Sequence, residues 1–166
     1  SSLPQAVATM LDPGDCGPAF IGLPQDIAAE AYDYPEVFFE TTVRTIARPR
    51  PDLTQLAAAA AAITQASRPV IIAGGGVHYS LAEQELADFA QAFGIPVVET
   101  VAGKSSLLAD HPRYCGPIGV TGAEAANAVV RQADLVIAVG TRLEDFTTGS
   151  WTVFDEKAVF VAINAA

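Results

Sequence analysis

Arg68-Pro-Val-Ile-Ile-Ala-Gly-Gly-Gly-Val-His-Tyr-Ser80 constrains this chain more than any other stretch. Val70–Ala73 is apolar with no polar alternation, which describes a strand covered on both faces. It runs directly into Gly74, Gly75 and Gly76, and helical signals follow. Strand, glycine turn and helix is the unit with which α/β folds bring one backbone close to another, or to a phosphate. Ser80 and Glu83 have the spacing of a capping box, predicting a helix from there to Phe93, with Gly94 as its left-handed stop.

The pattern extends on both sides. Asp52 is placed to cap a helix to about Ala66, with Leu53, Leu56, Ala60 and Ile63 on one face. Pro96 to Glu99 reads as the next strand and 122–132 as a third helix. Leu135 to Val139 and Ala158 to Ile163 read as further strands. Alternating strands and helices give a parallel, Rossmann-like α/β sheet flanked by helices, with Val70–Ala73 and Leu135–Val139 central. No helix follows the last strand, so residues 53–166 read as a sheet domain truncated at its C-terminus.

The first third reads differently. Residues 1–27 suggest a helix from Ser2 through Met10, a turn at Asp12-Pro-Gly-Asp and a buried strand from Ala19 to Leu23, the tail of a preceding domain. Residues 28–52 read as a linker, with prolines at 35, 49 and 51. Tyr32, Tyr34, Phe38 and Phe39 are expected to pin it to a neighbouring surface.

Composition excludes several functions. A net charge of −10 on 166 residues argues against nucleic acid or an anionic membrane as partner. A hydrophobic share of 51% implies surface meant for other protein. Cys16 and Cys115 fit no metal spacing and read as reduced thiols of a cytoplasmic protein. The alanine run 57–62 is too short to span a bilayer.

Three glycine-rich loops carry the candidate chemistry. Gly74-Gly75-Gly76 begins a dinucleotide fingerprint that Tyr79 breaks, although Glu99 closes the second strand as such folds require. Its alternative is a tight turn or close packing. The loop 116–122, with Gly119, Thr121 and Gly122, offers backbone N–H groups to an anion, or is simply a flexible loop. The loop 140–149 holds Arg142, which either pairs with a phosphate or with Glu144 or Asp145. Gly103-Lys104-Ser lacks the upstream glycine of a P-loop. His78 and His111 read as structural. No catalytic residue and no metal ligand is assigned.

These loops, in this order, resemble the central domain of thiamine-diphosphate-dependent enzymes. The resemblance covers about residues 53–164. It rests on Arg68-Pro-Val-Ile-Ile-Ala-Gly-Gly-Gly, Gly94-Ile-Pro-Val, Gly103-Lys-Ser, Asp110-His-Pro, Gly116-Pro-Ile-Gly and Ala133-Asp-Leu-Val-Ile-Ala-Val-Gly-Thr-Arg142. Leu23-Pro-Gln-Asp-Ile-Ala-Ala-Glu-Ala-Tyr-Asp-Tyr-Pro35, Ala73–Ser80 and Gly140–Ser150 are similar to the branch that hydrolyses a ring C–C bond of trihydroxycyclohexane-1,2-dione in inositol catabolism.

The resemblance implies that thiamine diphosphate and magnesium serve a full-length enzyme and bind outside these residues. The activating glutamate belongs to an earlier domain and the Gly-Asp-Gly metal motif to a later one. It implies the other domains of the polypeptide as partners, a homo-oligomer, and a chain that is not catalytic alone. Some relatives, such as acetohydroxyacid synthase, hold FAD in this domain and others hold ADP. Residue matching then makes Gly74, Gly75, Gly76, Gly119, Thr121, Gly122 and Arg142 the nucleotide cleft. This chain has Leu-Glu-Asp-Phe after Arg142, where the synthases carry a Phe-Asp-Asp-Arg-type run. A nicotinamide-dependent Rossmann oxidoreductase is the rival reading and needs a completed glycine fingerprint. A sirtuin-like deacylase needs a four-cysteine zinc site that two cysteines do not supply.

Overall fold

The computed structural model describes residues 2–14 and 16–165. The chain divides into two compact units, one of the first 49 residues and one from Arg50 to Ala165.

The second unit is built on one parallel sheet of five strands: β1 (Pro69–Ala73), β2 (Val97–Glu99), β3 (Tyr114–Pro117), β4 (Leu135–Val139) and β5 (Val159–Ile163). Their order is β3-β2-β1-β4-β5. β1 is central, and its full register with β4 runs from Pro69↔Leu135 to Ala73↔Val139. The unalternating sequence of β1 has a direct cause. Val70 and Ile72 enter a core with Val130, Val136 and Phe154, whereas Ile71 and Ala73 enter a second core with Leu86, Ala90 and Ile137. Successive side chains point to opposite faces, and both faces are covered.

The helices here are α3 (Leu53–Gln65), α4 (Gly76–Ser80), α5 (Glu83–Phe93), α6 (Glu124–Arg131) and α7 (Asp145–Thr148). Asp52 caps α3 as expected, accepting from Thr54 N and Gln55 N. The apolar face of α3 is used only at its end: Ala62 and Ile63 pack on the core, while Leu53 and Leu56 stay exposed. The capping box is not formed. Ser80 ends α4, Leu81 adopts a left-handed φ of 54°, and α5 starts after Ala82 with no side-chain cap. Glu83 turns to His78 instead, because an acceptor for an imidazole N–H lies within reach. Gly94 closes α5 at φ 68°. β3 and α7 were not anticipated; Gly116-Pro117 and the glycine-rich loop concealed them.

The first unit has α1 (Ser2–Met10), α2 (Gln25–Ala28) and a 3-10 turn at Glu36–Phe39. Arg44 donates to the Pro4 carbonyl at 2.9 Å. The Asp12 turn is present as Gly14 N donating to Asp12 Oδ1, and its last residue, Asp15, lies outside the described residues. Ala19–Leu23 is not a strand, and it is not buried; Phe20 is 95% exposed. A strand needs a neighbour for its backbone groups, and the described residues of this unit supply none. Tyr34 packs on Tyr32, Phe38 and Phe39 with ring centroids 5.0–6.2 Å apart. These rings cover one another yet remain largely exposed.

Candidate functional site

The three glycine loops meet at the carboxyl ends of the strands. Gly76 N donates to the Gly140 carbonyl at 2.9 Å, and Gly74 N donates to Val139 O at 2.8 Å. A Cβ on Gly74 would overlap the Gly140 carbonyl oxygen, and one on Gly119 would overlap the Phe146 oxygen. Val120 N donates to Phe146 O at 3.0 Å. The loop 140–149 therefore touches both other loops. This close approach is what glycine permits. Asn127 fixes the 116–122 loop, donating to Gly119 O and accepting from Gly119 N, each at 3.0 Å.

Several donors on these loops remain open, among them three that face no internal acceptor on three different loops. The amides of Gly75 and Thr121 and the guanidinium of Arg142 have no acceptor among the described residues. Arg142 is exposed and forms no ion pair with Glu144 or Asp145, so the salt-bridge alternative does not hold. Gly74, Gly76, Gly119 and Gly122 have their N–H groups engaged internally.

Beside the first loop lies a polar cluster that the sequence did not announce. His78 Nδ1 is 2.8 Å from Glu83 Oε1, and its Nε2 is 3.0 Å from the Lys104 carbonyl and 3.3 Å from Ser106 Oγ. Both ring nitrogens face acceptors, which the imidazolium satisfies. The Glu83 hydrogen bond, helped by the Lys104 carbonyl, raises the His78 pKa above its ordinary 6.5. Ser106 is fully buried, so its hydroxyl is closed to a substrate and the trio is not a nucleophilic triad. Glu99 is also buried and accepts from Leu107 N at 3.0 Å. It holds the loop after β2 rather than facing a ribose. Burial, with Glu99 alongside, pushes the Tyr114 phenol upward, and burial raises the Cys115 thiol. Both cysteines are free.

Among the described residues, no three His, Cys, Asp or Glu side chains gather to hold a metal. No described helix is long and apolar enough to cross a membrane.

A parallel 3-2-1-4-5 sheet with glycine loops gathered at its carboxyl edge is the architecture of a nucleotide-fold domain. Residues 56–166 match the family described as thiamine pyrophosphate enzyme, central domain, and the chain belongs to that family. It is 50% identical to the 3D-(3,5/4)-trihydroxycyclohexane-1,2-dione hydrolase of Bacillus velezensis, over 100% of this chain and 26% of that protein. The Bacillus subtilis protein of the same name is 47% identical over the same shares. Among solved structures, a putative thiamin diphosphate-dependent enzyme from Mycobacterium smegmatis superposes with a TM-score of 0.73 at 28% identity, covering 97% of this chain and 30% of that one. The chain thus spans about a quarter of the length of the curated relatives it matches.

Proposed function

We propose that this chain is the central domain of a thiamine-diphosphate-dependent hydrolase that opens the ring of trihydroxycyclohexane-1,2-dione. The observation that carries the reading is 50% identity to a protein of that name across the whole of this chain. In this reading residues 1–27 are the tail of a preceding domain, 28–52 a linker and 53–166 the central domain. Thiamine diphosphate, bound with magnesium by other domains of the polypeptide, supplies the electron sink for C–C cleavage. These residues contribute structure and assembly within a cytoplasmic homo-oligomer. The test is turnover by the full-length polypeptide with cofactor and magnesium. Ring opening of the cyclic dione is expected. Acetolactate formation from pyruvate, with the dione untouched, would assign it to a synthase-like branch instead.

The cleft carries a second part of the proposal. An adenine nucleotide, ADP or FAD, would place a phosphate against Gly75 N, Thr121 N and Arg142. Gly74, Gly76, Gly119 and Gly122 would hold the loops close enough to let it approach. The open donors on three loops that touch one another through 140–149 support this. Titration of ADP and FAD into wild type and Arg142→Ala tests it, with affinity expected to fall about tenfold in the variant. No binding at millimolar nucleotide would leave the glycines a packing role only.

A further inference from the structure

The opposite end of the sheet holds two adjoining cavities. One, of about 470 Å³, lies at the starts of β4 and β5 and is lined by Arg68, Arg131 and Lys157. The other, of about 660 Å³, lies at the starts of β1 and β2 and is lined by Ile63, Phe93, Pro96 and Val129. Arg68 and Gln132 line both, so the two lie side by side. Each falls in the size range of small-molecule sites.

The charge is uneven. This chain has nine basic residues and a net charge of −10, yet three of the nine line one cavity. Two carboxylates, Asp134 and Asp155, line the same cavity and keep their charge, which leaves one positive charge in excess, but their oxygens are engaged by backbone amides. Asp134 accepts from Ser67 N at 2.8 Å and Arg68 N at 2.9 Å, and those bonds, Arg68 N foremost, hold its pKa below the usual carboxylate value. Asp155 Oδ1 accepts from Lys157 N at 2.8 Å. The cations are less committed. Arg68 Nε donates to the Gln132 carbonyl at 2.8 Å, which aims the guanidinium and leaves its terminal nitrogens without a partner among the described residues. Lys157 Nζ has none there either, and Arg131 reaches Glu124 only at 3.9 Å, with both side chains exposed.

We infer that the amino-terminal end of the sheet carries a binding site for a small amphipathic organic anion. Its carboxylate or phosphate sits among Arg68, Arg131 and Lys157, and its apolar body lies along Phe93, Pro96 and Val129. A purely polar anion leaves the apolar half unused, and a neutral apolar ligand leaves the cations unmatched. A planar guanidinium held by its Nε presents its remaining N–H groups as a fork for an oxyanion.

The test is titration of the full chain with 4-phenylbutyrate, its uncharged amide and inorganic phosphate, followed by amide chemical shifts. The acid is expected to shift Arg68, Gln132 and Lys157 together with Phe93, and to bind about tenfold more tightly than either the amide or phosphate. Arg131→Gln/Lys157→Gln should reduce the acid to the affinity of the amide. Both side chains are exposed and weakly tied, so the fold is not at risk. Phe93→Ser should weaken the acid and leave phosphate unchanged. Three results would each overturn the inference: no shifts at millimolar acid, equal affinity for acid and amide, or full affinity in the double variant.

Discussion

His78 Nδ1 lies 2.8 Å from Glu83 Oε1, and this pair ties α4 to α5 where no helix cap does so. The other ring nitrogen reaches the Lys104 carbonyl, so one imidazole joins both helices to the loop after β2. Both ends of that latch titrate.

The His78 pKa is raised in the folded chain, chiefly by Glu83, so its contribution is complete below its ordinary value of 6.5 and fades as pH rises through the folded value. The Glu83 pKa is lowered, chiefly by His78, from an ordinary 4.5, so its contribution is complete above 4.5 and fades as pH falls through the folded value. The latch is strongest between those two ordinary values. Thermal melts of wild type and His78→Gln from about pH 4 to about pH 9 should differ most in that window and converge above it. A difference independent of pH would show that the imidazole acts by packing alone.

Glu99 is the buried acceptor for Leu107 N. Glu99→Leu should destabilise the chain by about 1–3 kcal/mol, because the amide is left unsatisfied. Glu99→Gln keeps an acceptor and should lose less. Urea melts give the totals, and hydrogen exchange at the Leu107 amide should accelerate in the Leu variant alone.

Gly74→Ala forces a Cβ onto the Gly140 carbonyl. A loss of about 1–3 kcal/mol is expected from the overpacking. At Gly75 the added atom meets Ala102, its Cβ at 3.2 Å and its carbonyl oxygen at 3.3 Å, a milder approach than at Gly74, so Gly75→Ala should lose less. Equal losses would mean that the β1 and β4 loops do not depend on the close approach.

Asp52 caps α3 with two hydrogen bonds, at 2.9 and 3.1 Å. Asp52→Ala should lower stability by about 1 kcal/mol in a urea melt. Helical circular dichroism should change little, since Ala62 and Ile63 still dock the far end of the helix.

Ile137 sits in β4 with 1% of its surface exposed. Ile137→Ala should lose about 2–5 kcal/mol, with a lower urea midpoint and an unchanged slope.

Local composition alone identified the parallel α/β class, β1, β4 and β5, the Asp52 cap and the Gly94 stop. In each case the signal is short-range: an unalternating apolar run, a capping carboxylate or a residue tolerant of positive φ. The glycine loops were legible as loops, and Arg142 as a cation among them. Pairing was not legible. Ser80 and Glu83 have capping-box spacing, but Ser80 ends α4 and the left-handed Leu81 separates it from α5, which leaves Glu83 to pair with His78. Ala19–Leu23 has strand composition but finds no ladder, since a strand exists only beside a partner. Tyr114–Pro117 looks unlike a strand, yet β2 recruits it through Val97↔Tyr114 and Glu99↔Pro117. The cavities at the far end join Arg68, Arg131 and Lys157, which stand dozens of residues apart in sequence and meet because β1, β4 and β5 begin side by side. Spacing along the chain determined which elements form, through propensities that act over a few residues. Tertiary packing decided which groups are opposed, because those distances are set by the order of strands in the sheet.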